Sequence, residues 1–370
     1  MRGGSTRALS DAEERGVARV RADLIDTVDP RWQRLLARAR HDVYHLPGYI
    51  EHAARHEGGT PAALHAEAGE HALLVPVLVR PLPRELGAPA DWVDAATPYG
   101  YPGPLVTPGA DESTLAALVG ALAPLCRAHS IVTVFARLHP ILTFPRRVLA
   151  DTGALVHHGE TVAIDLGPPT AALDRQLRKN HRQVVRRLRE AGYTVVRDDW
   201  SRIDAFWEIY DETMRRVGAR SCYRLPPAYF RGLRDALRGR LHLACVLSPS
   251  GEVASVSMDS ELGGIVQALF AGTAAAHLKA APDRLLVVSL RDWAKARGAT
   301  VLHLGGGLGG RRDALFDYKA GFGPGRAVFV TWRLVADHAR YDELLGLRPS
   351  AGEGTPDPAF FPLYRSPASE

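Results

Sequence analysis

The segment Leu304-Gly305-Gly306-Gly307-Leu308-Gly309-Gly310 follows directly on the apolar run Val301-Leu302-His303. A run of this kind reads as a short buried strand entering a turn whose glycines allow left-handed backbone and close approach of a ligand. Within a dozen residues comes Phe316-Asp317-Tyr318-Lys319-Ala320-Gly321-Phe322-Gly323, in which one lysine stands between aromatic residues. A strand end, a glycine turn and a lone cation are thereby held close together in the chain. Lys319 is placed to meet a negatively charged group.

A length of 370 residues favours two domains over one, each large enough for its own core. Hydrophobic residues at 46% and charged residues at 24% are ordinary for a globular protein and argue against disorder beyond the ends. The first twenty residues lack an apolar block, and no run approaches bilayer-spanning length, so a cytoplasmic protein without membrane insertion is expected. Cys126, Cys222 and Cys245 have no metal-ligand spacing, which fits a reducing compartment. The net charge of +5 suits a protein that handles anions but does not by itself identify a nucleic acid.

Periodicity divides the chain into two α/β halves. In the first, helices are predicted from Arg31 and from Pro47. Strands follow at Ala62 to His65 and Ala72 to Val79, then a helix at Leu115 to His129 and strands at Ile131 to Arg137 and Thr161 to Asp165. The second half opens with one helix from Leu173 to Gly192, a strand at Tyr193 to Arg197 and helices at Ile203 to Val217 and Pro227 to Leu237. Strands at 241–247, 253–262 and 264–270, joined through Ser250-Gly251 and Gly263-Gly264, predict an antiparallel meander. A helix at Pro282 to Arg297 then leads into the strand at Val301. That order is the one found in GNAT-type acyltransferases, and its repetition in two halves points to a duplicated fold.

Four separated motifs resemble those of the Fem-type aminoacyl-tRNA-dependent transferases. They are Tyr44-His45-Leu46-Pro47-Gly48-Tyr49, Pro98-Tyr99-Gly100-Tyr101-Pro102-Gly103-Pro104, Leu177-Arg178-Lys179-Asn180-His181-Arg182-Gln183 and Asp317-Tyr318-Lys319. The resemblance implies an α/β protein of two tandem GNAT-like lobes, spanning residues 25–165 and 166–345, with flexible ends at 1–24 and 346–370. Some members carry a long coiled-coil arm; the stretch at 173–192 is too short for one, about 30 Å as a single helix. The activity implied is transfer of an amino acid from aminoacyl-tRNA to an amine of a peptidoglycan precursor or small natural product. Aminoacyl-tRNA is then a co-substrate, and no cofactor or metal is needed.

The resemblance makes Lys319 and Tyr318 the catalytic candidates, since a fixed cation stabilises the oxyanion of ester aminolysis more than it does the neutral ester. A lysine here is equally suited to hold a phosphate or ribose of the tRNA end, and the plain alternative is a surface lysine after a turn. Arg175, Arg178, Lys179, Arg182 and Arg186 share a cationic helix face suited to a phosphate backbone, or to solvent alone. Tyr99, Tyr101, Arg220, Tyr223 and Arg224 are the candidates for the acceptor pocket, where arginine forks grip anions and tyrosines stack on rings.

Other patterns are weaker. His52 and His56 have zinc-ligand spacing on a helix, but alanine follows His52 and no third ligand is evident. Asp259 and Glu261 share a strand face, read as solvated. Cys222 has no base placed to activate it. The competing enzyme reading is an acyl-CoA-dependent N-acyltransferase of the same fold. Its pyrophosphate loop has the form Q/R-x-x-G-x-G/A, and the nearest match, Arg215-Arg216-Val217-Gly218-Ala219-Arg220, fails at the last position. A third reading is a binding module in which Lys319 carries no turnover.

Overall fold

The computed structural model describes residues 19–348, 357 and 359–366. The first lobe contains β1 (Arg21–Ile25), α1 (Pro30–Arg38), α2 (Pro47–Glu57), β2 (Thr60–Ala68), β3 (His71–Pro81), β4 (Val93–Ala96), β5 (Leu105–Val106), α3 (Glu112–Gly120), α4 (Leu122–Ala128), β6 (Ile131–Arg137), α5 (Arg146–Ala150) and β7 (Ala154–Asp165). The second lobe contains α6 (Thr170–Gln176), α7 (Lys179–Glu190), β8 (Thr194–Arg197), α8 (Ile203–Arg216), α9 (Pro227–Leu237), β9 (Leu241–Leu247), β10 (Val253–Leu262), β11 (Ile265–Thr273), α10 (Asp283–Ala296), β12 (Val301–Gly306) and α11 (Ala314–Ala320). Two further elements, β13 (Arg326–Val335) and α12 (His338–Gly346), return to the first lobe.

All strands join in one sheet of order β1-β2-β3-β4-β6-β13-β7-β12-β11-β10-β9-β8, with β5 on β3. The lobes are continuous because β13 crosses over and inserts between β6 and β7, antiparallel to both. Each lobe contributes one parallel pair, β4 with β6 and β11 with β12, within an otherwise antiparallel sheet. These pairs fit the expected duplication of a GNAT-like α/β lobe. Ligand sites in such sheets lie off the carboxyl ends of parallel strands.

Alternation along the strands sorts side chains to two faces. Leu241, Leu243 and Cys245 point into a core shared with α1, α2, α8 and α9, whereas Ala244 and Val246 point into the core beneath α7, α10 and α11. The first of these cores crosses the lobe boundary, since α1 and α2 come from one half and α8 and α9 from the other. Gly48 of α2 allows the closest approach: a Cβ there would lie 2.8 Å from the Ala236 carbonyl of α9. A third core lies under α3, α4 and α5 in the first lobe.

The meander forms as expected, with Gly251 at φ 85°, Gly263 at φ 60° and Gly264 at φ 76° making its turns. The helix expected over Leu115 to His129 is two helices with the break at Ala121. Pro124 has no N–H for the carbonyl four residues earlier, which ends the first helix there. The helix expected over Leu173 to Gly192 is also broken. Leu177 and Arg178 are extended, and the Arg178 N–H donates to the Gly321 carbonyl at 2.8 Å, a tertiary contact that overrides local helical preference.

Two structured segments lie in stretches read as ends. Arg21–Ile25 forms the edge strand β1, and residues 359–366 lie against the first lobe. The rest of those ends, at 1–18, 349–356, 358 and 367–370, falls outside the described residues. In the second segment Tyr364 is buried, its hydroxyl 2.9 Å from Thr133 Oγ1 and donating to Asp94 Oδ2 at 3.2 Å. Asp94 is wholly buried and is also paired with Arg80 at 2.9 Å and with Arg365. Removing this carboxylate strands two partly buried guanidinium groups. Asp94→Ala is therefore expected to lower unfolding free energy by about 3 kcal/mol or more, read as a reduced urea midpoint; an unchanged midpoint contradicts a stabilising role for these pairs.

Candidate active site

The junction of the lobes holds a connected buried polar chain. Asp42, just before the turn 43–45, accepts from its neighbour Val43 N–H at 2.7 Å, from His139 Nε2 at 2.9 Å and from Gln267 Nε2 at 2.7 Å. Ile141 and Leu142 N–H groups point at His139 Nδ1 at 3.1 and 3.0 Å, which assigns the ring proton to Nε2. Gln267 Oε1 then accepts from His303 Nδ1 at 2.6 Å, and His303 Nε2 accepts from Thr161 Oγ1 at 2.8 Å. Asp42 and His139 belong to the first lobe, Gln267 and His303 to β11 and β12, and Thr161 to β7 between them. Burial alone would raise the Asp42 carboxyl, but the hydrogen bonds it accepts from His139, Gln267 and the Val43 N–H hold it below its ordinary value.

Tyr101 sits on this chain. Its ring lies 5.5 Å from His303, 6.3 Å from His139, 5.9 Å from Tyr44 and 5.6 Å from Phe329, all edge-on. Lys319 lies near enough to His303 that, after burial, its charge helps to push that imidazole down. In the last turn of α11, the Lys319 ammonium donates to the Gly306 carbonyl at 2.8 Å. Gly305, at φ 74°, leaves room for it: a Cβ there would lie 3.4 Å from Nζ. Asp313 caps α11 by accepting from Phe316 N–H at 2.9 Å and reaches back to Leu308 N–H at 2.8 Å, tying the glycine turn to the helix that carries the lysine. Burial lowers the lysine to about 8, with the Asp313 charge opposing.

Tyr318 points elsewhere. Its ring packs 5.6 Å from His181 and 5.2 Å from Phe322, with the Arg284 guanidinium 5.7 Å away, so the phenol is not brought to the Lys319 ammonium. Consecutive helical residues differ by about 100° in direction. Burial first, then Asp283, keeps this phenol protonated.

The acceptor candidates come together in part. Tyr99 and Tyr223, from opposite lobes, meet edge-on at 5.9 Å. Glu57 Oε1 accepts from Tyr99 N–H at 2.9 Å, and Tyr49 donates to the Tyr99 carbonyl at 2.7 Å. Arg220 and Arg224 flank Tyr223 on the exposed surface; Arg224 is drawn to Asp211 of α8 at 3.7 Å. The cations Arg175, Arg178, Lys179, Arg182 and Arg186 are all exposed but belong to two helices rather than one. Leu177, Arg182, Val185, Arg186 and Arg189 line a surface groove of about 220 Å³ against α10.

Asp259 departs from its reading as a solvated carboxylate. A bulge at Met258/Asp259 turns it beneath α10, where Ser257 donates at 2.7 Å and Arg197, stacked on Trp293, approaches at 3.5 Å. Burial pushes its carboxyl up to about 6. His52 and His56 meet Tyr229 edge-on, and no cluster suited to a metal ion occurs among the described residues. Cys222 is exposed. The residues that sequence reasoning missed, Asp42, His139, Gln267, His303 and Arg137, are scattered singly along the chain. Asp42 caps a helical turn, Arg137 ends β6 with His139 just beyond it, and Gln267 and His303 lie inside β11 and β12, so no common local signal marks them.

Residues 175–320 match the sequence model of a family described as an acetyltransferase (GNAT) domain. Among solved structures the chain resembles FemX at 14% identity and a TM-score of 0.67, covering 87% of this chain and 99% of that one. It also resembles L-PGS from Bacillus licheniformis, at 12% identity and a TM-score of 0.52 over 88% and 97% of the two chains. A tandem GNAT protein from the clavulanic acid biosynthesis pathway aligns at 15% identity and a TM-score of 0.50 over 86% and 99%. No curated protein sequence matches the chain. The protein thus has the tandem GNAT fold, with no long arm among the described residues, and at this identity its likeness to FemX is one of fold.

Burial holds His45 and His303 down to about 3 from an ordinary 6.5. Between those values the unfolded chain binds protons that the folded one refuses, so stability is full above pH 6.5 and falls as pH falls. Each such histidine costs about 1.4 kcal/mol per pH unit within that window. Urea midpoints are expected to drop steeply from pH 7.5 to 5, and His303→Asn to flatten the slope; equal slopes would place the sensitivity elsewhere.

Proposed function

We propose that this protein transfers an amino acid from aminoacyl-tRNA to the amine of a peptidoglycan precursor or small natural product, forming an amide. The observation that carries this reading is Lys319: a cation beside a glycine-rich strand end, with one carbonyl partner and no carboxylate in ion-pair contact among the described residues. Such a group keeps hydrogens to donate to an oxyanion. The acceptor amine attacks the ester carbonyl, the C–N bond forms and the tetrahedral oxygen takes the negative charge, which Lys319 stabilises. The C–O bond to the ribose then breaks, and the proton lost by the amine ends on the ribose oxygen. Holding both reactants at the lobe junction supplies the proximity term.

The cationic start of α7 supports a tRNA donor. It docks beside the lysine's helix through the bond from Arg178 to Gly321 and the packing of His181 on Phe322 at 4.5 Å. Phosphates met on that face would lie next to the catalytic helix. The Fem-type motifs and the fold shared with FemX favour the same donor.

The GNAT-domain match favours a second reading, an acyl-CoA N-acyltransferase. In such enzymes pyrophosphate sits at a helix N-terminus. The corresponding helix here, α10, begins with Asp283 in its first turn after Pro282, with no glycine-rich loop before it. A carboxylate at that place opposes an anion, which weighs against this reading.

Product formation should require charged tRNA, be abolished by ribonuclease and weaken steeply with salt, and charge reversal at Arg178, Lys179 and Arg182 should weaken different tRNAs alike. Ribonuclease-resistant product from a CoA thioester alone would instead establish the second reading.

Lys319→Ala is expected to slow turnover by about 10²- to 10³-fold with an unchanged melt. Because the ammonium is the active form, wild-type rate should decline as pH rises through about 8, and Lys319→Arg should move that limb upward. Unaltered kinetics in both variants would make the lysine structural.

A further inference from the structure

Arg137 ends β6, whose parallel partner β4 runs on into Thr97, Pro98 and Tyr99. Its backbone N–H donates to Thr97 Oγ1 at 3.1 Å, and Nη1 donates to the carbonyls of Thr97 at 2.9 Å and Pro98 at 3.3 Å. The guanidinium lies 5.0 Å from the Phe135 ring centroid. Among the described residues, Nε and Nη2 have no protein partner, and neither is sealed from solvent.

Four other partly or fully buried arginines are treated differently. Arg31, Arg80, Arg197 and Arg291 each meet at least one carboxylate, Arg291 meeting Asp174 at 2.6 Å and Asp292 at 2.7 Å. Arg137 meets none in ion-pair contact. A largely desolvated cation without a counter-ion is costly, and its free edge has the two-donor geometry that matches a carboxylate or phosphate. Its charge reaches the phenols of Tyr99, Tyr101 and Tyr223 from both lobes.

We infer that Arg137 holds a carboxylate of the acceptor at the lobe junction, making the acceptor an amine that also carries a carboxylate. The inference rests on the reading that an amine acceptor binds at this junction. Carboxylate is chosen over phosphate because of Glu57, which binds Tyr99 N–H and is the acid that most attracts Arg137. A dianion at Arg137 would face that carboxylate. An acceptor with both charges satisfies the pair, its carboxylate on Arg137 and its ammonium toward Glu57.

The test is arginine side-chain NMR of the full chain without tRNA, with the Arg137 Nε–H signal assigned by its loss in Arg137→Lys. Acetate should shift that signal saturably, and inorganic phosphate at equal ionic strength should require about tenfold more. A signal that acetate leaves unmoved, or that phosphate saturates first, overturns the inference. In turnover, Arg137→Lys should raise acceptor KM by about tenfold to a hundredfold with donor KM unchanged; an unchanged acceptor KM with a wild-type melt also overturns it. The titration contains no tRNA, so a failure of the donor assignment and a failure of carboxylate binding are read separately.

Discussion

A single carboxylate organises the middle of this protein. Asp42 is fully buried, and a bare charge there would cost several kcal/mol. It is retained because donors from both lobes converge on it, His139 from one and Gln267 from the other. The bonds continue through His303 to Thr161, so three strands of the central sheet are held in register by one polar chain. Buried networks of this kind specify one arrangement when every member is satisfied. The shared core of α1, α2, α8 and α9 provides the apolar part of the same junction.

The candidate site is built around this junction. Tyr101 rests on His303 and His139, and Lys319 reaches the carbonyl of Gly306, three residues beyond His303 on β12. Arg137 emerges from the first lobe's parallel pair, and Lys319 stands off the end of the second lobe's parallel pair. Each lobe therefore presents a cation at the carboxyl end of its parallel strands. An anionic acceptor on one and a developing oxyanion at the other would be positioned by the same sheet.

Much of the fold was legible because strands such as Ile131–Arg137, Leu241–Leu247 and Val253–Leu262 are bounded by clear turns. The return of β13 to the first lobe was not, since pairing between strands distant in sequence leaves no local pattern. The breaks at Ala121 and Leu177 were hidden by unbroken apolar spacing; Pro124 signalled the first, and only a tertiary bond to Gly321 explains the second. Lys319 stands out in the sequence through its glycine and aromatic frame, whereas Arg137 is one of 46 basic residues and nothing in its local sequence sets it apart. Tyr318 is adjacent to Lys319 in sequence, but helical geometry turns it to another partner.

In the proposed reaction the lobe junction receives an aminoacyl ester with its carbonyl at Lys319. A structure of the protein with a short tRNA acceptor-stem mimic, its amino acid joined to the terminal ribose by a non-hydrolysable amide, tests this most directly. That carbonyl oxygen is expected within hydrogen-bond distance of Lys319 Nζ, with the stem lying along the cations of α7. A carbonyl seated away from Lys319, or a stem bound on a face remote from α7, would contradict it.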